Sequence, residues 1–515
     1  MQSQQTGDFN QVEQQGLARP ENYIDQPPQA KPIENDEINL AEIVPISQQF
    51  DKLEPKKALI THIIPQLIEQ LIYSWSVITQ AYMLVSKLGT DYYVGFVKEF
   101  SLQQIIVTQL PIAYGITWSI SYLGELLKEI SQDNTIIVPF MYSQLALGVL
   151  QMILAAVSSQ LTTLTKTGFI IKVVFSFLKL ITSFGYFLRA QQLKIFALVR
   201  GAMIWLFIYF GVQYTYTFNG VETTTAEGVV YLLAHLFITF SVLIAIWKQK
   251  FASTALVFQF TFKKEDFLPN KEMIKTILMS YFKGAQMYIP LMAQYVVYIL
   301  VVNKISFFST PALQLQASAN IFVFVVYNEL IKAVSMVSMN AFVAVAPGLL
   351  KMNKMPLFKE ALIWCFIFGF VLTAIIGGAG FLAPKALLSV FIPANKFDQT
   401  QLESTIKYLG LVGIFSVFQT MPAVIMVAFD EQLVQPIQGI AKIVAAMIVL
   451  TLQQTELDQA KYEQALLSGE IAGCAAGLFT FMLVILKVFW ELREKKGKGK
   501  KKQRRTLTAE EILGK

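Results

Sequence analysis

Two cysteines and two histidines in 515 residues leave little ligand chemistry to work with. Cys365 and Cys474 each sit inside an apolar run, which excludes a disulfide framework and a cysteine metal site. His62 and His235 cannot build a His-rich zinc or haem constellation, nor a nucleophilic triad. No GxxxxGKS or GxxxxGKT loop occurs, so nucleotide hydrolysis is not expected to drive the protein. Nothing here reads as an enzyme, a cofactor site or a metal site. Charge is also scarce, at 15% of residues against about 25% in soluble domains. Most of the excess of Lys and Arg lies in the last residues, so the net charge of +7 does not describe a nucleic-acid-binding face.

Apolar residues are abundant instead. They make up 54% of the chain, and the mean hydropathy is +0.51. A water-soluble core cannot hide that much apolar surface under so few polar groups. The sequence reads as an all-α, polytopic membrane protein. Residues 1–57 are rich in Gln, Asn, Pro and acids, without apolar period or signal peptide, and read as a disordered cytoplasmic tail. Twelve apolar runs follow, each near the ~20 residues that cross ~30 Å of hydrocarbon. They span 58–86, 93–120, 136–158, 166–188, 196–217, 226–247, 275–302, 312–345, 359–382, 404–428, 433–452 and 468–490. The eighth is longer than needed and should overrun or tilt. Lys and Arg concentrate in alternate loops so as to place both termini in the cytoplasm. The basic segment 491–515 reads as a cytoplasmic topology anchor that would also adhere to anionic lipid.

The runs also look like two copies of a six-helix unit. Lys57, Ile60, Ile63 and Gln80 fall on Lys271, Ile274, Ile277 and Gln294, and Gln191, Gly228, Ala234 and Phe240 fall on Gln432, Gly469, Ala475 and Phe481. Six helices per half keep both halves in one orientation. This gives an N-lobe over 58–250, a cytoplasmic linker over 251–274 and a C-lobe over 275–490.

Three segments then carry a family resemblance. Phe187-Leu188-Arg189-Ala190-Gln191-Gln192 resembles the "LRAQG" loop of multidrug and toxic compound extrusion (MATE) transporters. Ala346 through Asn353, followed by Lys359-Glu360-Ala361, is similar to the family's "VGNxLGAG…AK" segment after the eighth helix. Ala428-Phe429-Asp430-Glu431-Gln432 repeats the first-half loop. The resemblance implies two six-helix lobes in a V around a central cavity. It implies export of organic solutes, often cations, against inward proton or sodium flow. Sister families on the same bundle flip lipid-linked sugars. Here the sequence departs from the pattern. The family's acid in the first helix falls near Ala81, the seventh run holds no Asp or Glu, and Lys351 and Asn353 replace the "LGAG" glycines. The family's coupling residues therefore do not carry over.

The chain has ionisable groups of its own inside the runs. His62, Gln66, Glu69, Tyr73, Ser76 and Gln80 step by three and four, which places them on one face of the first helix. That face is either a cavity wall, with Glu69 as proton or cation site, or a seam of interhelical hydrogen bonds. In the seventh run Lys283, Gln286, Pro290 and Gln294 form a looser polar face. Pro290 is either a gating bend or an ordinary membrane-helix proline. Glu329 and Lys332, spaced i,i+3 in the eighth run, read as an internal ion pair, structural or opened by substrate or proton. Lys172, Lys179 and Lys442 are further intramembrane lysines, which would favour an anionic cargo unless they snorkel to the interface. Glu470 reads as a charge near the start of the last helix.

Ion-coupling candidates are thus Glu69 and Glu329, with Gln66, Tyr73, Gln80, Lys283, Gln294, Lys332 and Lys179 as cavity candidates and Pro290 as a hinge. Three functional readings follow. The first is a monomeric secondary active exporter, with the bilayer, a small organic solute and a proton or sodium ion as partners. The second is a flippase for lipids or lipid-linked oligosaccharides. The third is a non-transporting membrane scaffold or receptor.

Overall fold

A computed structural model describes residues 54–88, 92–126, 137–159, 264–351, 353–392, 397–429, 435–451 and 459–513, with Leu206, Leu233 and Leu236 isolated between them. The fourth to sixth runs, the loop 187–192, Lys172, Lys179 and His235 lie outside the described residues. So do most of the interlobe linker and the N-terminal tail.

Twelve α-helices are described. They are α1 (Pro55–Leu88), α2 (Tyr92–Gln103), α3 (Leu110–Leu126), α4 (Ile137–Ser159), α5 (Lys271–Val302) and α6 (Pro311–Lys351), then α7 (Met355–Leu382), α8 (Pro384–Phe391), α9 (Gln399–Gly413), α10 (Val417–Ala428), α11 (Gln435–Thr451) and α12 (Gln459–Leu513). Five of the described helices are long and apolar enough to cross a membrane. Proline opens α6 and α8, where its missing N–H costs nothing. Asn270 caps α5 by accepting the Met273 N–H at 2.7 Å, and Asp398 caps α9 through Thr400. Asn353, at one of the positions where the resemblance expects glycine, takes φ 64. Asn tolerates that left-handed backbone better than most residues, so the turn into α7 survives the substitution.

α6 is the centre of the bundle. In its most apolar stretch 83% of residues are buried, against 33% in α7 and 28% in α12. The outer helices turn apolar stripes outward, including Ile363, Ile367, Val371 and Ile375 on α7 and Leu478, Met482 and Leu486 on α12. In water such stripes would be association sites. Against lipid they are the expected exterior, and the polar side chains Gln294, Asn320, Asn328 and Ser335 are the ones held inside.

Close backbone contacts seal the packing. A Cβ on Gly377 of α7 would stand 2.5 Å from the Gly410 carbonyl of α9, and one on Gly439 of α11 would meet Ile289 and Pro290 of α5 at 2.8–2.9 Å. Lipid supplies no hydrophobic drive between helices, so small residues that let backbones touch do that work.

Two runs are less regular than the sequence suggests. The run 404–428 is two helices, α9 and α10, separated by a turn at Ile414–Ser416. Pro422 lacks the N–H that would bond the Phe418 carbonyl, and the Gln438 side chain supplies a donor at 3.2 Å instead. Thr373 similarly takes the Ile414 carbonyl at 2.8 Å. The run 93–120 contains a π-helical turn, Gln104–Gln109, between α2 and α3. Its loosened carbonyls at Ile105 and Ile106 are met by Tyr288 at 2.8 Å and Gln151 at 2.9 Å. Elsewhere the described runs correspond to helices, with α8 added between the ninth and tenth, and α12 begins at Gln459 and continues through the basic segment to Leu513.

Candidate functional site

Both irregular turns border one buried polar centre. Its first part joins α5, α6, α10, α11 and α12 around an ion pair, Lys442 Nζ to Glu470 Oε1 at 2.7 Å, with both side chains 5% exposed. Lys442 also donates to Gln294 Oε1 and Gln419 Oε1, each at 3.1 Å. Glu470 accepts from Asn328 at 2.8 Å and from Gln419 at 3.0 Å. Asn328 and Gln294 both donate to the Tyr298 hydroxyl. A buried pair survives in low dielectric only when its remaining hydrogen bonds are met, and here they are.

The second part lies one helical turn along α6. Lys332 donates to the Tyr295 hydroxyl at 2.8 Å and stands 4.1 Å above the Tyr295 ring. The same hydroxyl donates to Glu329 Oε2 at 3.1 Å and accepts from Gln109 of the π-turn at 3.3 Å. The phenol oxygen is thereby full. Glu329 Oε1 and Gln109 Oε1 are buried without a partner.

Between these parts lies a cavity with about 40 Å³ of free space. A buried water needs about 10–15 Å³ on this measure, so the space has room for about three waters. Pro290, Gln294, Lys332, Ser416, Gln438 and Lys442 are among its walls. Irregular backbone in a membrane belongs where it lines such a space, which accounts for the break before α10.

The sequence candidates divide as follows. Glu329, Lys332 and Gln294 meet at this centre, and Pro290 is a wall of it under Gly439. The expected direct Glu329–Lys332 pair is not formed; Tyr295 stands between them. Lys283 is half-buried on α5 and does not line the cavity. On α1, Gln66 is buried with Oε1 unpartnered, and His62 is buried too. Glu69, Tyr73 and Gln80 lie on the helical backbone of α1, while their side chains, like Lys179 as a whole, fall outside the described residues. Sequence reasoning missed the partnership of Lys442 with Glu470. Glu470 is not a charge at a helix start, because α12 begins eleven residues earlier at Gln459. Lys442 stood alone in its apolar run and Glu470 shared its run only with the distant Lys487, and the rule that such charges find each other was the available signal. Tyr295 and Gln419 gave no comparable signal.

No family profile matches the sequence, and no curated protein matches it. Solved structures do match in three dimensions. A MOP superfamily transporter from Pyrococcus furiosus, described as having a binding pocket of reverse polarity, superposes with TM-score 0.62 at 12% identity, covering 86% of this chain and 98% of that one. An outward-facing multidrug resistance MATE family transporter of the MOP superfamily gives 0.64 at 13%, covering 85% and 97%. The eukaryotic MATE transporter AtDTX14 gives 0.57 at 12%, covering 87% and 98%. These neighbours are transporters and not enzymes. At such identities the likeness is one of fold, and the chain has the all-α, twelve-helix membrane fold of the MATE transporters.

Proposed function

We propose that the protein is a secondary active transporter of small organic solutes, working by alternating access of two six-helix halves with both termini in the cytoplasm. The observation that supports this most is a buried, ionisable and incompletely satisfied centre on a transporter fold. Glu329 is the carboxylate with spare capacity, since one oxygen holds the Tyr295 proton and the other holds nothing. Such a group can accept a proton or a sodium ion without first breaking an existing bond. Glu470 is already saturated. Glu69, fourteen residues into α1 and so ~21 Å along its axis, is the second coupling candidate. A carboxylate at that depth is costly unless hydrated, paired or protonated.

Proteoliposomes under an imposed pH or sodium gradient test the reading. Counterflow of an organic solute that Glu329→Gln uncouples from the gradient supports it. No gradient-dependent movement across a broad panel of organic ions counts against it. A second reading, translocation of a lipid-linked phosphate, is favoured by the Lys332 ammonium on the cavity wall, and a head-group translocation assay separates the two.

A further inference from the structure

Charge around the cavity is unevenly committed. The three protons of the Lys442 ammonium have three acceptors, on Glu470, Gln294 and Gln419. Both Glu470 oxygens are occupied, and Asn328 spends both amide protons on Tyr298 and Glu470. That group is closed and sums to zero. Glu329 is not a wall of the cavity, and its bonded oxygen is turned to Tyr295. Lys332 is a wall, with one proton on the Tyr295 phenol and no other hydrogen-bond partner among the described residues. On the α9–α10 turn, Ser416 is 7% exposed, lines the same cavity, and has no partner for its hydroxyl. Gln438 Oε1 is also unpartnered, and its amide cannot turn over because Nε2 is held by the carbonyls of Phe418 and Gly473. An ammonium and a hydroxyl therefore face a small space with spare donors, beside one fixed acceptor. Lys332 is half-buried, with the Glu329 carboxylate behind the shared Tyr295 phenol, and toward the cavity its ammonium has no hydrogen-bond acceptor among the described residues.

We propose that this cavity is an anion site, in which Lys332 and Ser416 hold a single oxyanion group, a carboxylate or a phosphate. Gln438 Oε1 accepts from a protonated oxygen or an adjoining hydroxyl of the same ligand. The free space of about 40 Å³ admits one such group and not a whole drug-sized solute. Calling the ligand cargo rests on the transporter reading; the site itself does not.

The test is thermal unfolding of the full-length protein in detergent, in chloride buffer at fixed ionic strength. The probes are phenyl phosphate, benzoate, geranyl phosphate and benzyltrimethylammonium. Saturable stabilisation by the oxyanions, at half-saturation at least tenfold below the cation, is expected. Lys332→Gln and Ser416→Ala should each weaken it about tenfold, while Lys332→Arg keeps it. Ser416→Ala, which removes one unpartnered hydroxyl, serves if Lys332→Gln fails to fold. Preference for geranyl phosphate identifies a lipid-linked source, and equal response to phenyl phosphate or benzoate a soluble one; either supports the site. Stabilisation by the cation alone, or an oxyanion effect that persists in Lys332→Gln and Ser416→Ala, overturns it. Oxyanion binding without any gradient-driven transport keeps the site and refutes the transporter reading.

Discussion

Lys442 of α11 and Glu470 of α12 touch at 2.7 Å in the interior of a membrane bundle, each 5% exposed. Removing one partner strands the other. Lys442→Met or Glu470→Gln alone should cost about 3–5 kcal/mol, and the double variant should recover much of that loss. Thermal unfolding of the four proteins in detergent closes the cycle. Strictly additive losses would mean that the two groups do not stabilise each other. Added salt should change the coupling little, because buried pairs are poorly screened.

Tyr295→Phe keeps the ring beneath Lys332 and deletes the oxygen shared by Lys332, Glu329 and Gln109. Buried Gln109 and half-buried Lys332 and Glu329 lose a partner together, at a cost of up to about 1–3 kcal/mol each. Transport should fall at least tenfold while membrane insertion is kept. Wild-type transport rates in Tyr295→Phe would remove the phenol from the mechanism.

Gly377 and Gly378 are neighbours in α7 with opposite surroundings. An added methyl at Gly377 meets the Gly410 carbonyl at 2.5 Å, whereas one at Gly378 meets nothing within 4 Å. Gly377→Ala should destabilise by about 1–3 kcal/mol through overpacking. Gly378→Ala should stabilise by up to about 1 kcal/mol through helix propensity. Equal effects on the melting temperature would contradict the α7–α9 contact.

Glu69→Gln should abolish proton-coupled uptake while leaving folding and insertion intact. Uptake measured over pH 6–8 checks this. Normal transport across that range would leave Glu329 as the coupling candidate.

The helical runs could be read from the sequence because a bilayer demands long apolar stretches, and the boundaries of α1, α4, α5 and α6 fall near the predicted ones. The break at Ile414–Ser416 could not, since it lies within one mostly apolar run with only Gly410, Gly413, Ser416 and Pro422 to hint at it. The π-turn is equally silent; its cause is tertiary, in the Tyr288 and Gln151 side chains that take its carbonyls. Glu329 and Lys332 were visible as charges at helical spacing, but Tyr295 reaches them from another helix. Lys442 and Glu470 were each visible too. Which charge meets which is decided by how helices cross, and spacing along one chain does not encode that.

α6 is 41 residues long, which at 1.5 Å per residue is about 60 Å, twice the thickness of the hydrocarbon layer. Asn328 and Lys332 bracket its midpoint. A stiff rod of that length turning by ~10° about its middle swings each tip by ~5 Å, while the centre barely shifts. Asn328 and Lys332 would sit at the fulcrum of such a lever. A bound group there could stay in place while the mouths on either side of the membrane exchange open and closed positions.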